Sequence, residues 1–325
     1  MAINGNKWQS PGNKWEGVTF SKGKRYGVEI DSIIEMSTNG ATNSLIDAKK
    51  NGYKSEFWNT NDSHWDGGLG IDRTLAMGVD GWKNQGKIIE RMAEKAGEYA
   101  QEMPRQEMYW DVTGAAWDMG AVMAGLPECG LNFRETNQDT LVRVMVNCYY
   151  SGGVSNSTLE KRARAIAALA TSLHNGGYDI EVLLIMPCRL RGKKYLIEVQ
   201  VQDPTRIYDL DRLAFWMGHP AAVRNLIYGV DGLVNGEGMG MSNLSQDILT
   251  GIKARAVQEG WLYVEEAYLS GYDGGSGRCE DMCQTEEGSV AWIKKQMEFV
   301  KEMKMAAAEG REPTVALASD ESDLY

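Results

Sequence analysis

The chain has 325 residues, of which 43% are hydrophobic and 24% charged, and its formal net charge is −11. Such a length holds a large core in one or two domains, and the balance is that of a globular protein in water. The acidic surplus opposes broad nucleic-acid binding, which needs Lys and Arg to neutralise phosphates. No apolar run approaches the ~18 residues of a membrane helix, and the opening MAINGNKWQSPGNKWEG has no apolar stretch of the secretory kind. No membrane association is therefore expected. The five cysteines are Cys129, Cys148, Cys188, Cys279 and Cys283. Their odd number predicts reduced thiols in a cytoplasm. Cys279 and Cys283 could form half a zinc site, but no second ligand pair follows at zinc spacing. The expectation is no metal and no other cofactor.

Residues 1–25, rich in Gly, Asn, Lys and Trp, read as an extended arm. Residues 26–135 read as an α+β region packed on the core. Within it Ile88, Ile89, Met92 and Ala96 keep helical spacing, and the helix must stop near Pro104. Met108 to Val112 is short and aromatic. The stretch Gly114 to Gly125 is rich in Gly and Ala. Asp111 and Asp118 read as turn and cap formers, because two carboxylates fall short of the roughly six oxygens calcium takes. The polar run Asn132 to Asp139 marks a boundary. Residues 136–310 read as an α/β domain, and 311–325 as an acidic disordered tail.

The centre of the chain is the stretch from Leu141 to Ile185. An apolar run at 141–146 leads into the turn Ser151-Gly-Gly-Val-Ser155-Asn-Ser157. A helix with an apolar stripe follows and ends at Asn175-Gly176-Gly177. A second apolar run, Ile180 to Met186, closes the unit. Strand, loop, helix and strand in that order predict a βαβ unit with parallel strands. Ligands collect outside the carboxyl ends of such strands, so the loop from Asn147 to Ser157 is the first place to seek chemistry. Arg191-Gly-Lys-Lys194 then joins two apolar runs into a hairpin, which gives the sheet one antiparallel strand. Helices are predicted at 209–217, after His219-Pro220, and at 245–259. A strand is predicted at 261–268, and a last helix at 286–309 with Val290, Ile293, Met297, Val300 and Met303 on one face. The glycines at 236–240 lack the Lys and the feeding strand of a phosphate loop.

Five groups carry possible chemistry. His219 lies close before Arg224 at a helix start. It could act as a general base or bind phosphate with that arginine, or it could cap the helix from within the core. Ser151, Ser155 and Ser157 lie in the glycine-rich loop, where turn and N-cap roles compete with nucleophilic ones. Cys148 reads as buried. Arg162 and Arg164, with Lys161, read as a solvated basic spot. Tyr149 and Tyr150 offer large contact area with a polar tip.

The order strand, helix, hairpin, helices, strand, helix resembles the von Willebrand factor A-like (vWA-like) fold, a Rossmann-like sheet with an antiparallel edge strand. That family's metal-ion-dependent adhesion site, Asp-x-Ser-x-Ser, falls here on Asn147-Cys148-Tyr149-Tyr150-Ser151. Only Ser151 keeps its type, and loss of the carboxylate removes the main attraction for magnesium, so the resemblance implies a degenerate site without metal. Three phrases are similar to an uncharacterised family of tailed-bacteriophage proteins. They are Gly81-Trp82, Trp117-Asp118-Met-Gly-Ala-Val-Met-Ala-Gly-Leu-Pro-Glu-Cys129, and Leu210-Asp211-Arg-Leu-Ala-Phe215-Trp-Met-Gly-His219-Pro220-Ala-Ala-Val-Arg224. This second resemblance implies a phage origin, the cytoplasm of an infected bacterial host, and no set activity. Virion association and oligomeric state stay open.

Two functions follow. The first is a non-enzymatic protein-binding or assembly factor with a phage or host partner, an AAA+ ATPase among the candidates. Its binding rim would comprise Asn147, Tyr149, Tyr150, Ser151, Ser155, His219 and Arg224. The second is a nucleotide-binding protein or hydrolase with Ser151 and His219 in the catalytic roles.

Overall fold

A computed structural model describes residues 17–55, 58, 67–83, 85–97, 106–111, 116–126, 129–135, 141–149, 154–235, 243–265 and 285–311. The expected βαβ unit is present. Strand β6 (Leu141–Asn147) runs parallel to β7 (Asp179–Leu190), in a register that sets Leu141 opposite Asp179 and Asn147 opposite Ile185. Helix α5 (Asn156–Asn175) joins them, and the Ser155 side chain caps it by accepting from the Thr158 amide. Side chains alternate across the pleat. Val142, Val144 and Val146 enter the main core, while Met145 faces the other side.

Strand β8 (Lys193–Gln202) returns antiparallel to β7 through Arg191 (φ 50°) and Gly192 (φ 84°). A two-residue turn with both residues left-handed has the twist that an antiparallel pair requires. The sequence reading makes this strand an edge, and the structure corrects that. Strand β2 (Val28–Ser37) pairs with β8 in parallel, and β1 (Val18–Arg25) pairs with β2 antiparallel through Tyr26 and Gly27. Ile30 and Ile33 are buried on one face of β2, and Ile34 and Met36 on the other. A strand with two apolar faces is stable only inside a sheet. Residues 18–25, assigned above to an arm, are thus the edge strand, and β2 lies in the sheet rather than packed on it.

Strand β10 (Leu262–Val264) pairs in parallel with the other side of β6, and β9 (Asn243–Leu244) pairs antiparallel with the end of β7. The seven-stranded sheet has the order β1-β2-β8-β7-β6-β10, with β9 on β7. One face carries α5 together with α1 (Thr38–Lys50), α2 (Gly70–Asp80), α3 (Gly86–Gly97), α6 (Leu210–Gly218) and α7 (Tyr228–Asn235). On the same face lie a π-helix at Ala222–Ile227 and α9 (Glu286–Glu309), whose Ile293, Met297 and Val300 are buried as their spacing predicts. The other face is covered by α8 (Gln246–Glu259), through Ile248, Leu249, Ile252 and Ala256. Gly251 permits this contact, because a Cβ there would lie 2.1 Å from the Tyr26 carbonyl oxygen.

A separate antiparallel sheet, of order β3-β5-β4, is built from β3 (Gln106–Asp111), β4 (Ala116–Trp117) and β5 (Gly130–Glu135). The short helix α4 (Met119–Met123) follows β4. Asp118 caps it, accepting from the amides of Gly120 at 2.8 Å and Ala121 at 3.2 Å, which is the role the sequence assigns it. No helix among the described residues is long and apolar enough to cross a membrane. Tyr150, Ser151, Cys279, Cys283, the 236–242 loop and the 312–325 tail lie outside the described residues.

Candidate functional site

The carboxyl ends of β6 and β10 lie side by side, within reach of Arg162 on α5. Asn147 ends β6 and is fully buried. Its Oδ1 accepts from the Tyr149 amide at 3.0 Å, and its Nδ2 donates to the Tyr263 hydroxyl at 3.2 Å. Both ends of the side-chain amide therefore hold the strand terminus. Arg162 lies on α5 and is 3% exposed. Its Nη2 donates to the carbonyl of Asn147 at 3.0 Å and to that of Glu265 at 2.5 Å, so one guanidinium nitrogen ties the ends of β6 and β10. The Glu265 carboxylate accepts from Lys253 Nζ at 2.5 Å, and that ammonium lies 5.6 Å from the Tyr263 ring centroid. Cys148 is buried, with its thiol donating to the Ile185 carbonyl at 3.2 Å. Burial pushes the thiol up to about 12, outweighing the opposing pull of Arg162. It is protonated and inert at neutral pH.

His219 and Arg224 sit one layer away, on the helical side. His219 follows α6, where Gly218 packs so closely on α5 that a Cβ would meet the Ala163 Cβ at 1.6 Å. The ring is 5% exposed. It stacks on Phe215 at 5.6 Å and meets the edge of Trp82 at 4.9 Å. Nδ1 accepts from the Ala221 amide at 3.2 Å, so the imidazole caps the helix that starts at Pro220. Arg224, Asn225 and Asp231 are buried in and just after the π-helix. Trp58 Nε1 donates to the Asn225 carbonyl at 3.2 Å, and Asn225 Nδ2 donates to Thr74 Oγ1 at 3.2 Å. A widened helical turn exposes carbonyls that need such donors.

These positions change the reading of the rim. Asn147, His219 and Arg224 are buried, each engaged inside the fold, and they offer no contact surface. Tyr149 is half-buried against the main core. Ser155 is an N-cap. Arg162, read as part of a solvated spot, is instead a strand-end tie. Its position was legible, because Leu159, Ala163, Ile166 and Leu169 define an inward stripe that includes residue 162. Among the described residues no three His, Cys, Asp or Glu side chains gather as a metal site.

Residues 13–284 match the family DUF7192, a domain of unknown function. The chain belongs to the DUF7192 family. No curated protein and no solved structure matches the chain.

One surface of this DUF7192 chain was not singled out for exposure by its sequence. Around α4, Trp117 is 52% exposed, Met119 64%, Val122 40%, Met123 86% and Leu126 56%. No residue of α4 is buried. The stretch from Met119 to Leu126 contains no charged side chain. Single exposed apolar residues are ordinary, but five within ten positions form a patch of the kind that marks a contact surface.

Proposed function

We propose that the chain is a non-enzymatic protein-binding or assembly module whose contact face is the apolar surface from Trp117 to Leu126. The observation that carries this is the exposure of Trp117, Met119, Val122, Met123 and Leu126 on one short, Asp118-capped element of the small sheet. Tryptophan and methionine are enriched in the buried centres of protein interfaces, where charged residues are depleted. Methionine also adapts its shape to a partner.

The vWA-like reading belongs to the same proposal. The order β8-β7-β6-β10, with β8 antiparallel to β7, supports it within a sheet that β2 and β1 extend beyond β8. So does the use of Asn147, at the position of the family's first carboxylate, as a backbone tie rather than an ion ligand. The Trp117 to Cys129 phrase supports a tailed-phage source, and it coincides with the proposed contact face. His219 is engaged through Nδ1 in capping, which favours binding over hydrolysis as the role of this chain.

The test is site-specific photo-crosslinking in cells. A crosslinking side chain at Met123 should give discrete protein adducts, and one at Ile207, which is 93% exposed but isolated, should not. Adducts equally frequent at both positions, or absent at Met123, would contradict the proposal.

A further inference from the structure

At the other end of the same strands, the amino ends of β6 and β10 and the helix α9 border a cavity of about 120 Å³. Leu262, Phe299 and Val300 line it and are at most 5% exposed, so its inner wall is apolar core. Arg143, Glu259 and Gly260 also line it and are exposed, so it opens to water on their side. Gly260 (φ 70°) forms one corner, where a Cβ would lie 2.8 Å from the Met303 Cε.

The polar groups around this cavity are mainly donors. Trp261 lines it, and the indole Nε1 is buried without a hydrogen-bond partner. A buried N–H is costly until an acceptor meets it. The Arg143 guanidinium lies over the Trp261 ring, 5.6 Å from its centroid, and Nε donates to Glu181 at 2.7 Å. Glu259 accepts from Arg255 Nε at 2.6 Å. Both carboxylates at this end therefore already face arginines. Lys304 lines the cavity too, and its Nζ donates to the Leu141 carbonyl at 2.6 Å, which fixes the ammonium there.

We infer that this cavity binds a small organic monocarboxylate whose apolar body is about one ring in size. An apolar cavity of about 150 Å³ accepts benzene. This one is slightly smaller and open on one side, so it accepts a ring whose carboxylate stays toward the opening. The ring packs on Leu262, Phe299 and Val300. The carboxylate accepts from Lys304 and supplies the acceptor that Trp261 Nε1 lacks. A cationic ligand would meet Lys304 and Arg143 and be opposed by like charge, and an inorganic anion would leave the apolar wall uncovered. The site shares no residue with the Trp117 to Leu126 contact face, so each reading stands or falls alone.

Calorimetric titration of the full chain with benzoate tests the inference. Benzyl alcohol keeps the ring without the charge, benzylamine reverses the charge, and acetate keeps the charge without the ring. Benzoate should bind one to one, and each of the other three at least about tenfold more weakly, since each lacks the charge-assisted contact or the apolar body. Lys304→Met keeps an unbranched stem and removes the charge, and it should weaken benzoate by at least about tenfold. Trp261→Phe keeps an aromatic wall and removes the indole donor, and it should weaken benzoate several-fold. Unfolding midpoints measured on both variants separate a lost contact from a lost fold. No saturable benzoate binding to the native chain at about 10 mM, equal binding of benzyl alcohol, or undiminished binding in both folded variants would overturn the inference.

Discussion

Gly218→Ala tests the contact that seats His219 beside the start of α5. A Cβ at Gly218 would lie 1.6 Å from the Cβ of Ala163, 2.7 Å from its Cα and 3.1 Å from the Leu159 carbonyl oxygen. Non-bonded carbons settle at about 3.5–4.0 Å, so the two helices would have to part by roughly 2 Å. Two of the contacts are backbone and cannot rotate away. The neighbours Phe215 and Trp216 are fully buried, so the shift would propagate into packed core. Overpacking of this kind costs about 1–3 kcal/mol, occasionally more. The helix preference of Ala over Gly offsets up to about 1 kcal/mol. A net loss of about 2 kcal/mol is expected, read by urea unfolding followed through tryptophan fluorescence. Ala163→Gly removes the nearest atom. Combined with Gly218→Ala, it should recover at least about 1 kcal/mol relative to additivity. A Gly218→Ala variant within about 0.5 kcal/mol of the native chain, or losses that simply add, would refute the close-packing argument.

Gly251→Ala should destabilise the chain by more than about 1 kcal/mol despite its helical setting, because the new Cβ meets the Tyr26 carbonyl oxygen at 2.1 Å; thermal melts would show this. Glu198 is buried on β8, accepting from the Tyr26 hydroxyl and from Arg25 Nη2 at 2.7 Å. Glu198→Ala should therefore cost about 1–3 kcal/mol, and Glu198→Gln less, because it keeps an acceptor. Stability should also fall as pH rises from 9 toward 12. The folded chain holds the Cys148 proton up to about 12 against an ordinary 9.0, so the unfolded chain binds fewer protons in that window. Burial raises Tyr26 and Tyr208 as well and steepens the same decline. Cys148→Ala should flatten it in pH-dependent urea unfolding, and an unchanged slope would contradict the burial account.

The parts of the fold that were legible in the sequence are those held by local signals. Ser155 before an apolar stripe marks the start of α5, and Arg191-Gly192 marks the β7–β8 turn. The pairing of β2 with β8 joins residues more than 160 positions apart, as in Ser32 with Tyr195, and leaves no local trace. Strand β1 shows no alternation because it is an edge, with only Val18 buried. The π-helix depends on donors supplied from Trp58 and Thr74, which its own residues do not encode. At the candidate site, residue type misled where burial decides. Asn147, His219 and Arg224 carry the chemistry of a rim and lie inside. Trp117, Met119, Val122 and Met123 stand exposed in a stretch whose sequence shows only that it is rich in Gly and Ala.

The central claim is that this exposed stretch binds a protein. The most direct measurement is the affinity of the crosslinked partner, once purified, for the native chain and for a Met119→Ser, Met123→Ser variant. Both side chains are more than 60% exposed, so the variant should unfold at the native midpoint. The proposal predicts a loss of at least about tenfold in affinity, the scale of hot-spot truncation. An affinity unchanged by the pair of substitutions in a folded variant would contradict it.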